Sequence, residues 1–110
     1  MQGRTKDIGK FFNMTEETKG KVLERHLIIK NKLGLHARAA ALFRECASKF
    51  DCDITVVKDH MRANAKSLLG LIALGAAQGT ELKVEAKGDD ARLALNALQS
   101  LVDSLFQEHE

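Results

Sequence analysis

Among the residues of this chain able to do chemistry, His36 stands apart by its setting, the stretch KLGLHARAAALF. The apolar run before it ends in a turn at Gly34, a helical pattern starts just after it, and Arg38 follows two positions later. A group at such a junction meets unpaired backbone N–H groups and the positive end of the helix dipole, and Arg38 adds a planar cation suited to phosphate oxygens. The geometry favours an anion, and an imidazole there could hold a phosphoryl group. Taken alone, the same histidine also reads as a surface or helix-capping residue, and Arg38 as a solvated residue of the first turn.

The other reactive side chains carry weaker signals. His26, His60 and His109 fall in a strand, a turn and the C-terminal tail, without a partner set that suggests metal or catalysis, and read as surface residues. Cys46 and Cys52 lie six apart with no CxxC and no second Cys/His pair. Neither a zinc site nor a thioredoxin-like pair has the spacing it needs, so both read as reduced thiols. Ser67 opens a short apolar segment, and its plain reading is an N-cap worth about 1 kcal/mol.

The elements that hold these residues follow from the apolar pattern. HLIIKN, ended by Asn31 and Gly34, reads as the close of a strand over 24–31. Ala39, Phe43, Cys46, Ala47 and Phe50 recur at helical spacing, with Arg38, Glu45, Ser48 and Lys49 facing away, which predicts a helix over 37–49. DITVVK and RANA make a hairpin turning at Asp59-His60, where a tight primed turn prefers Gly at the second position. In SLLGLIALG, Leu68, Leu69 and Ile72 fall on one side of a short helix and Leu71 and Leu74 on the other, so the first set is expected to be exposed. ELKVEAK alternates as a strand with one face buried and one in water. Asp89-Asp90 can then cap and charge a last helix, in which Ala91, Ala94, Leu95, Leu98, Leu101, Val102 and Leu105 keep period nearly to the C-terminus. The order βαββαβα predicts an α+β fold, an open-faced β-sandwich in which a four-stranded antiparallel sheet is covered on one face by three helices.

Composition narrows the function. At 110 residues there is one domain, and 17 Lys+Arg against 15 Asp+Glu leave a formal charge of +2. With no Trp, no Tyr and only 5 Phe, neither the basic field nor the stacking platform of a nucleic-acid binder is present, so no nucleic-acid partner is expected. No apolar run approaches the roughly 20 residues of a membrane span, and MQGRTKDIGKFF lacks the apolar core of a secretory signal, so no membrane insertion and a cytoplasmic location are expected. Residues 1–21 differ from the rest and read as an extension, either a flexible leader or a short docking helix built on Ile8, Phe11 and Phe12, ahead of a domain over 22–110.

Across about residues 22 to 110 the chain closely resembles the HPr family, the histidine phosphocarriers of the bacterial phosphoenolpyruvate-dependent phosphotransferase system. The resemblance rests on NKLGLHARAAALF, DITVVKD, NAKSLLGLIALGAAQGTELKV and EAKGDDARLALNAL, in family order and at family spacing. It implies that His36 takes a phosphoryl group on ring Nδ1 from phospho-enzyme I and passes it to a histidine of an enzyme IIA domain. Such a protein is a transiently phosphorylated carrier rather than a stand-alone enzyme, a monomer with no cofactor or metal of its own. The resemblance further assigns Arg38 to holding and releasing the phosphate, and Ser67 to a dedicated HPr kinase/phosphorylase found in some bacteria. It places docking on enzyme I and enzyme IIA at Leu68, Leu69 and Ile72, with Ala37 beside His36.

One departure is next to the site. Many family members have Pro after this Arg, where this chain has Ala39. Pro would pre-set the first helical turn, so its absence loosens the helix start but removes no chemistry. Two branches stay open, the sugar-uptake carrier and the nitrogen-type regulatory carrier, whose motif often also reads HARAA. A non-transferring regulatory module acting through the Ser67 helix is a further alternative, although such relatives typically lack the histidine that this chain keeps as His36. A small RNA-binding α+β domain fails for want of aromatics and basic excess.

Overall fold

The computed structural model describes residues 21–107. In chain order these form β1 (Val22–Ile28), α1 (Ala37–Ala47), β2 (Asp53–Lys58), β3 (Met61–Asn64), α2 (Leu68–Ala73), β4 (Glu81–Lys87) and α3 (Ala91–Asp103), closed by a short turn at Leu105–Gln107. The strands lie in the order β1-β4-β2-β3 and every neighbouring pair is antiparallel. This is the βαββαβα open sheet that the apolar pattern predicts.

Alternation along each strand decides which face the helices cover. Val84 sits between Arg25 and Val56, Ala86 between Leu23 and Ile54, and Val56 opposite Ala63, so these positions share one face. Against them pack Phe43 of α1, Leu71 of α2, and Leu95, Leu98 and Val102 of α3, all buried. The other face is polar: Arg62 reaches Glu85 at 2.7 Å, Lys83 reaches Glu85 at 3.4 Å, and His26 pairs through Nδ1 with Glu81. Exposed pairs of this kind add little stability each, but Arg62 and Lys83 offset the repulsion between Glu24 and Glu85, which face each other in register.

Several boundaries differ from the sequence expectation. β1 runs over Val22–Ile28 rather than 24–31, although Ile29 still donates to the Thr80 carbonyl and accepts from Gly79. α1 stops at Ala47, and Lys49 and Phe50 close short turns onto Cys46 and Ala47 in place of two more helical residues. β3 sits one residue earlier than RANA, with Ala65 still bonded to Ile54. In the hairpin turn the positive φ falls on Asp59 (+55°), so the conformational demand is at the first turn position, not the second.

The two ends of α3 bring larger corrections. Asp90 occupies the N-cap position, yet its side chain does not cap α3. Its carboxylate accepts instead from the N–H groups of Asp51 (2.8 Å) and Cys52 (3.0 Å), tying the helix start to the loop before β2. At the other end the helix does not continue through Leu105. Leu105, Phe106 and Gln107 are all left-handed, with φ of 58°, 54° and 65°. The reversal buries Phe106 completely, and a buried phenyl is worth about 3–5 kcal/mol, of the same order as the strain of three left-handed residues at roughly 1–2 kcal/mol each. Cys46 and Cys52 are both free thiols, Cys52 buried. The readings made on Ile8, Phe11, Phe12 and His109 lie outside the described residues.

Candidate functional site

The loop between β1 and α1 is built by a few tight contacts. Gly34 has φ +71°, and a Cβ there would stand 2.5 Å from the Ala76 carbonyl oxygen, so the position needs glycine on both counts. The next residue, Leu35, donates its N–H to that same oxygen at 2.8 Å. Asn31 is fully buried, and its Nδ2 donates to the Gly34 carbonyl at 2.7 Å while the Gly34 N–H donates to the Asn31 carbonyl at 3.1 Å.

His36 follows as the N-cap residue of α1, with extended backbone (φ −76°, ψ 179°) and its carbonyl accepting from Ala40 at 2.7 Å. Its side chain makes no capping bond, which removes the helix-capping role as an explanation for it. The imidazole is partly exposed, Ala37 and Arg38 are exposed, and no acidic residue lies in the first turn. His36 thus stands at the positive end of α1, with an exposed arginine two residues on. Ala39, the position of the departure from the family pattern, is completely buried, and α1 starts at Ala37 without proline.

The second predicted element sits beside this loop. Ser67 is the N-cap of α2, its Oγ accepting from the Gly70 N–H at 3.1 Å. A Cβ at Gly70 would lie 3.2 Å from that hydroxyl. At the far end Lys58 Nζ donates to the carbonyls of Leu74 (3.0 Å) and Gly75 (3.4 Å), placing a cation at the negative end of the helix. Because Ala76 is what Gly34 and Leu35 touch, the segment that follows α2 lies against the loop that carries His36.

Of the apolar residues expected to be exposed on α2, Leu69 is 78% exposed and Ile72 37%, while Leu71 and Leu74 are buried as expected. Leu68 is a correction: it is half-buried and packs against the core. Steps of three residues turn a helix by about 60° short of a full circle, so Leu68 stands beside Leu71 rather than opposite it. Sequence reasoning missed two features of the loop: the structural part of Asn31, and Leu33, which is 70% exposed three residues before His36. A single leucine in a turn carries no periodic signal that could have marked it.

A small domain with one sheet face covered and a partly exposed histidine at a helix start has the layout of a carrier rather than of an enzyme with an enclosed site. Comparison with known proteins narrows that class. A family model described as "PTS HPr component phosphorylation site" matches residues 23–104. Phosphocarrier protein NPr of Shewanella violacea is 48% identical over 86 residues, covering 78% of this chain and 94% of that protein. Phosphocarrier protein HPr of Neisseria meningitidis is 43% identical over 89 residues, covering 81% and 100%. Among solved structures, HPr from Thermoanaerobacter tengcongensis superposes with a TM-score of 0.77 at 49% identity, over 80% of this chain and 99% of that one. The chain belongs to the HPr family and is a phosphocarrier of the phosphotransferase system.

Proposed function

We propose that His36 is the residue that carries the phosphoryl group, accepting it from phospho-enzyme I and delivering it to a histidine of an enzyme IIA domain. The observation that carries this reading is a partly exposed imidazole at the N-cap of α1 that takes no part in capping, with Arg38 exposed two residues on. In the transfer, the lone pair of a ring nitrogen of neutral His36, Nδ1 by family resemblance, attacks phosphorus in line. The phosphorus–nitrogen bond to the donor histidine breaks, its electron pair stays on the donor nitrogen, and a new phosphorus–nitrogen bond forms on His36. The first-turn amides and Arg38 stabilise the phosphate oxygens without enclosing them, which suits a group that must leave again. No metal is needed on this chain.

The same proposal gives Ser67 a regulatory part. A phosphate on its hydroxyl would replace the capping acceptor and add close to two negative charges at the edge of the apolar patch of Leu69 and Ile72. We assign that patch, with Ala37 and the less exposed Leu68 at its margin, to docking on enzyme I and enzyme IIA, and residues 22–110 to a monomeric carrier domain that works in the cytoplasm with 1–21 as an extension. Among the described residues no helix is long and apolar enough to cross a membrane. A second reading, the nitrogen-type regulatory carrier, draws on the 48% identity to a relative named NPr rather than HPr.

The experiment is incubation with enzyme I, phosphoenolpyruvate and Mg²⁺, followed by intact mass, on the full chain and on a chain beginning at Val22. Both should gain one phosphate, labile in acid and stable in base, and His36→Ala should gain none. Phosphate uptake by His36→Ala would refute the site.

A further inference from the structure

Among the described residues Asn31 is the polar side chain that the fold buries completely. Burying an amide is costly unless its hydrogen bonds are made, and an apolar side chain would fill the same space without that cost. What the amide gains is a hold on the backbone. Its Nδ2 lies 2.7 Å from the Gly34 carbonyl, which can only accept, so the orientation of the amide is fixed by its partner. The Gly34 N–H returns to the Asn31 carbonyl at 3.1 Å, so the two residues are joined twice. From the other side the Ala76 oxygen takes the Leu35 N–H at 2.8 Å. The peptide between Gly34 and Leu35 is thus clamped by Asn31 on one side and by the segment after α2 on the other, immediately before His36.

We infer that Asn31 is a positioning residue for phosphoryl transfer: its buried amide fixes the Gly34–Leu35 peptide and through it the place of the His36 ring. This rests on the reading of His36 as the acceptor. In-line transfer between two histidines depends on where the attacking nitrogen stands, and a misplacement of about 1 Å costs on the order of a hundredfold in rate. Leu35 is buried and Ala39 is buried, so an error in the loop between them is passed to His36 rather than absorbed by the side chains around it.

The test uses two variants of the full chain. Asn31→Asp keeps the shape but sets an acceptor against the Gly34 carbonyl, and Asn31→Ala removes the amide without adding charge, which keeps the test open should the buried carboxylate prevent folding. Leu98→Ala, in the core under α3, controls for general loss of stability. Two quantities are measured per folded molecule: the rate of phosphorylation by phospho-enzyme I, and the half-life of the phosphohistidine at neutral pH. The Asn31 variants should transfer about tenfold or more slowly and show an altered half-life, while Leu98→Ala melts lower with both quantities unchanged. Asn31 variants that stay within about twofold of the parent in both, or that merely track Leu98→Ala, overturn the proposal. His36→Ala run alongside separates the two readings. Phosphate uptake without the histidine overturns the acceptor reading, whereas an inert His36→Ala beside unimpaired Asn31 variants overturns the role of Asn31 alone.

Discussion

His36 and Arg38 differ in what the fold asks of them. His36 closes the loop and supplies the first helical carbonyl, whereas Arg38 sits exposed in the first turn. Arg38→Ala should therefore leave the melting temperature within a degree or two of the parent while slowing transfer by about ten- to a hundredfold, because a charge-assisted contact to the phosphate is lost and no packing. Rapid-quench measurement of phosphate passing from enzyme I decides this, and an unchanged rate would remove Arg38 from the site. Both residues were legible in the sequence because the signal is local: a turn glycine, a histidine and an arginine at fixed spacing ahead of a helical period. Asn31 was legible only as the end of a strand. Its bond to the Gly34 carbonyl is local, but that the fold buries it, and that the Ala76 carbonyl holds the same peptide from the other side, depend on contacts across the fold that no local pattern reports.

The short helix α2 shows at the scale of an element where pattern reading stops. The period separates Leu69 from Leu71 correctly, yet six residues are too few to fix the border of the buried face, and Leu68 falls inside it. A pair of substitutions exploits that border. Leu69→Asp puts a charge on a side chain already 78% exposed, so it should change stability by under about 0.5 kcal/mol, while burying the same charge in a complex costs several kcal/mol. Affinity for enzyme I should drop sharply by calorimetry with the melting curve unmoved, and Leu68→Asp should lower the melting curve as well. Normal binding by Leu69→Asp would move the interface elsewhere. The end of α3 escaped the sequence for a different reason. The helical period runs on through Leu105, and nothing local announces three left-handed residues, whose reversal carries Phe106 into the core. Gln107 carries φ +65° on an exposed side chain, so Gln107→Gly should stabilise the fold by about 1 kcal/mol, readable as a rise of a few degrees in melting temperature.

For the molecule as a whole, charge placement sets a window of pH in which the carrier is most stable. Among the described residues three carboxyls are held below their ordinary values: Glu85 first by its bond to Arg62, Asp90 first by the Asp51 N–H, and Asp103 first by Lys30. A carboxyl depressed by folding contributes stability above its unfolded value and loses it as pH falls through the folded one, so the acid arm begins below about pH 4. Cys52 lies on the other arm. Burial, and then the bond to Asp90 and its charge, push the thiol from 9.0 to about 11. A thiol raised by folding contributes stability that is complete below about pH 9 and is lost as pH rises through about 11. Cys52 and Asp90 meet at one junction, where Gly88 (φ +149°) lets the end of β4 pass so close that a Cβ there would lie 2.7 Å from Cys52 Cβ. One contact therefore acts on both arms. Thermal melts followed by circular dichroism from pH 2 to pH 11, taken as differences from the parent chain so that lysine titration cancels, should separate the two groups. Cys52→Ala should lose less stability than the parent between pH 9 and 11 and, by removing the thiol's bond to Asp90, slightly weaken the acid arm. Asp90→Ala should flatten the acid arm and, by removing the bond and charge that help raise Cys52, bring the thiol's ionisation to lower pH. Identical alkaline profiles for the parent and Cys52→Ala would show that the thiol does not ionise against the fold.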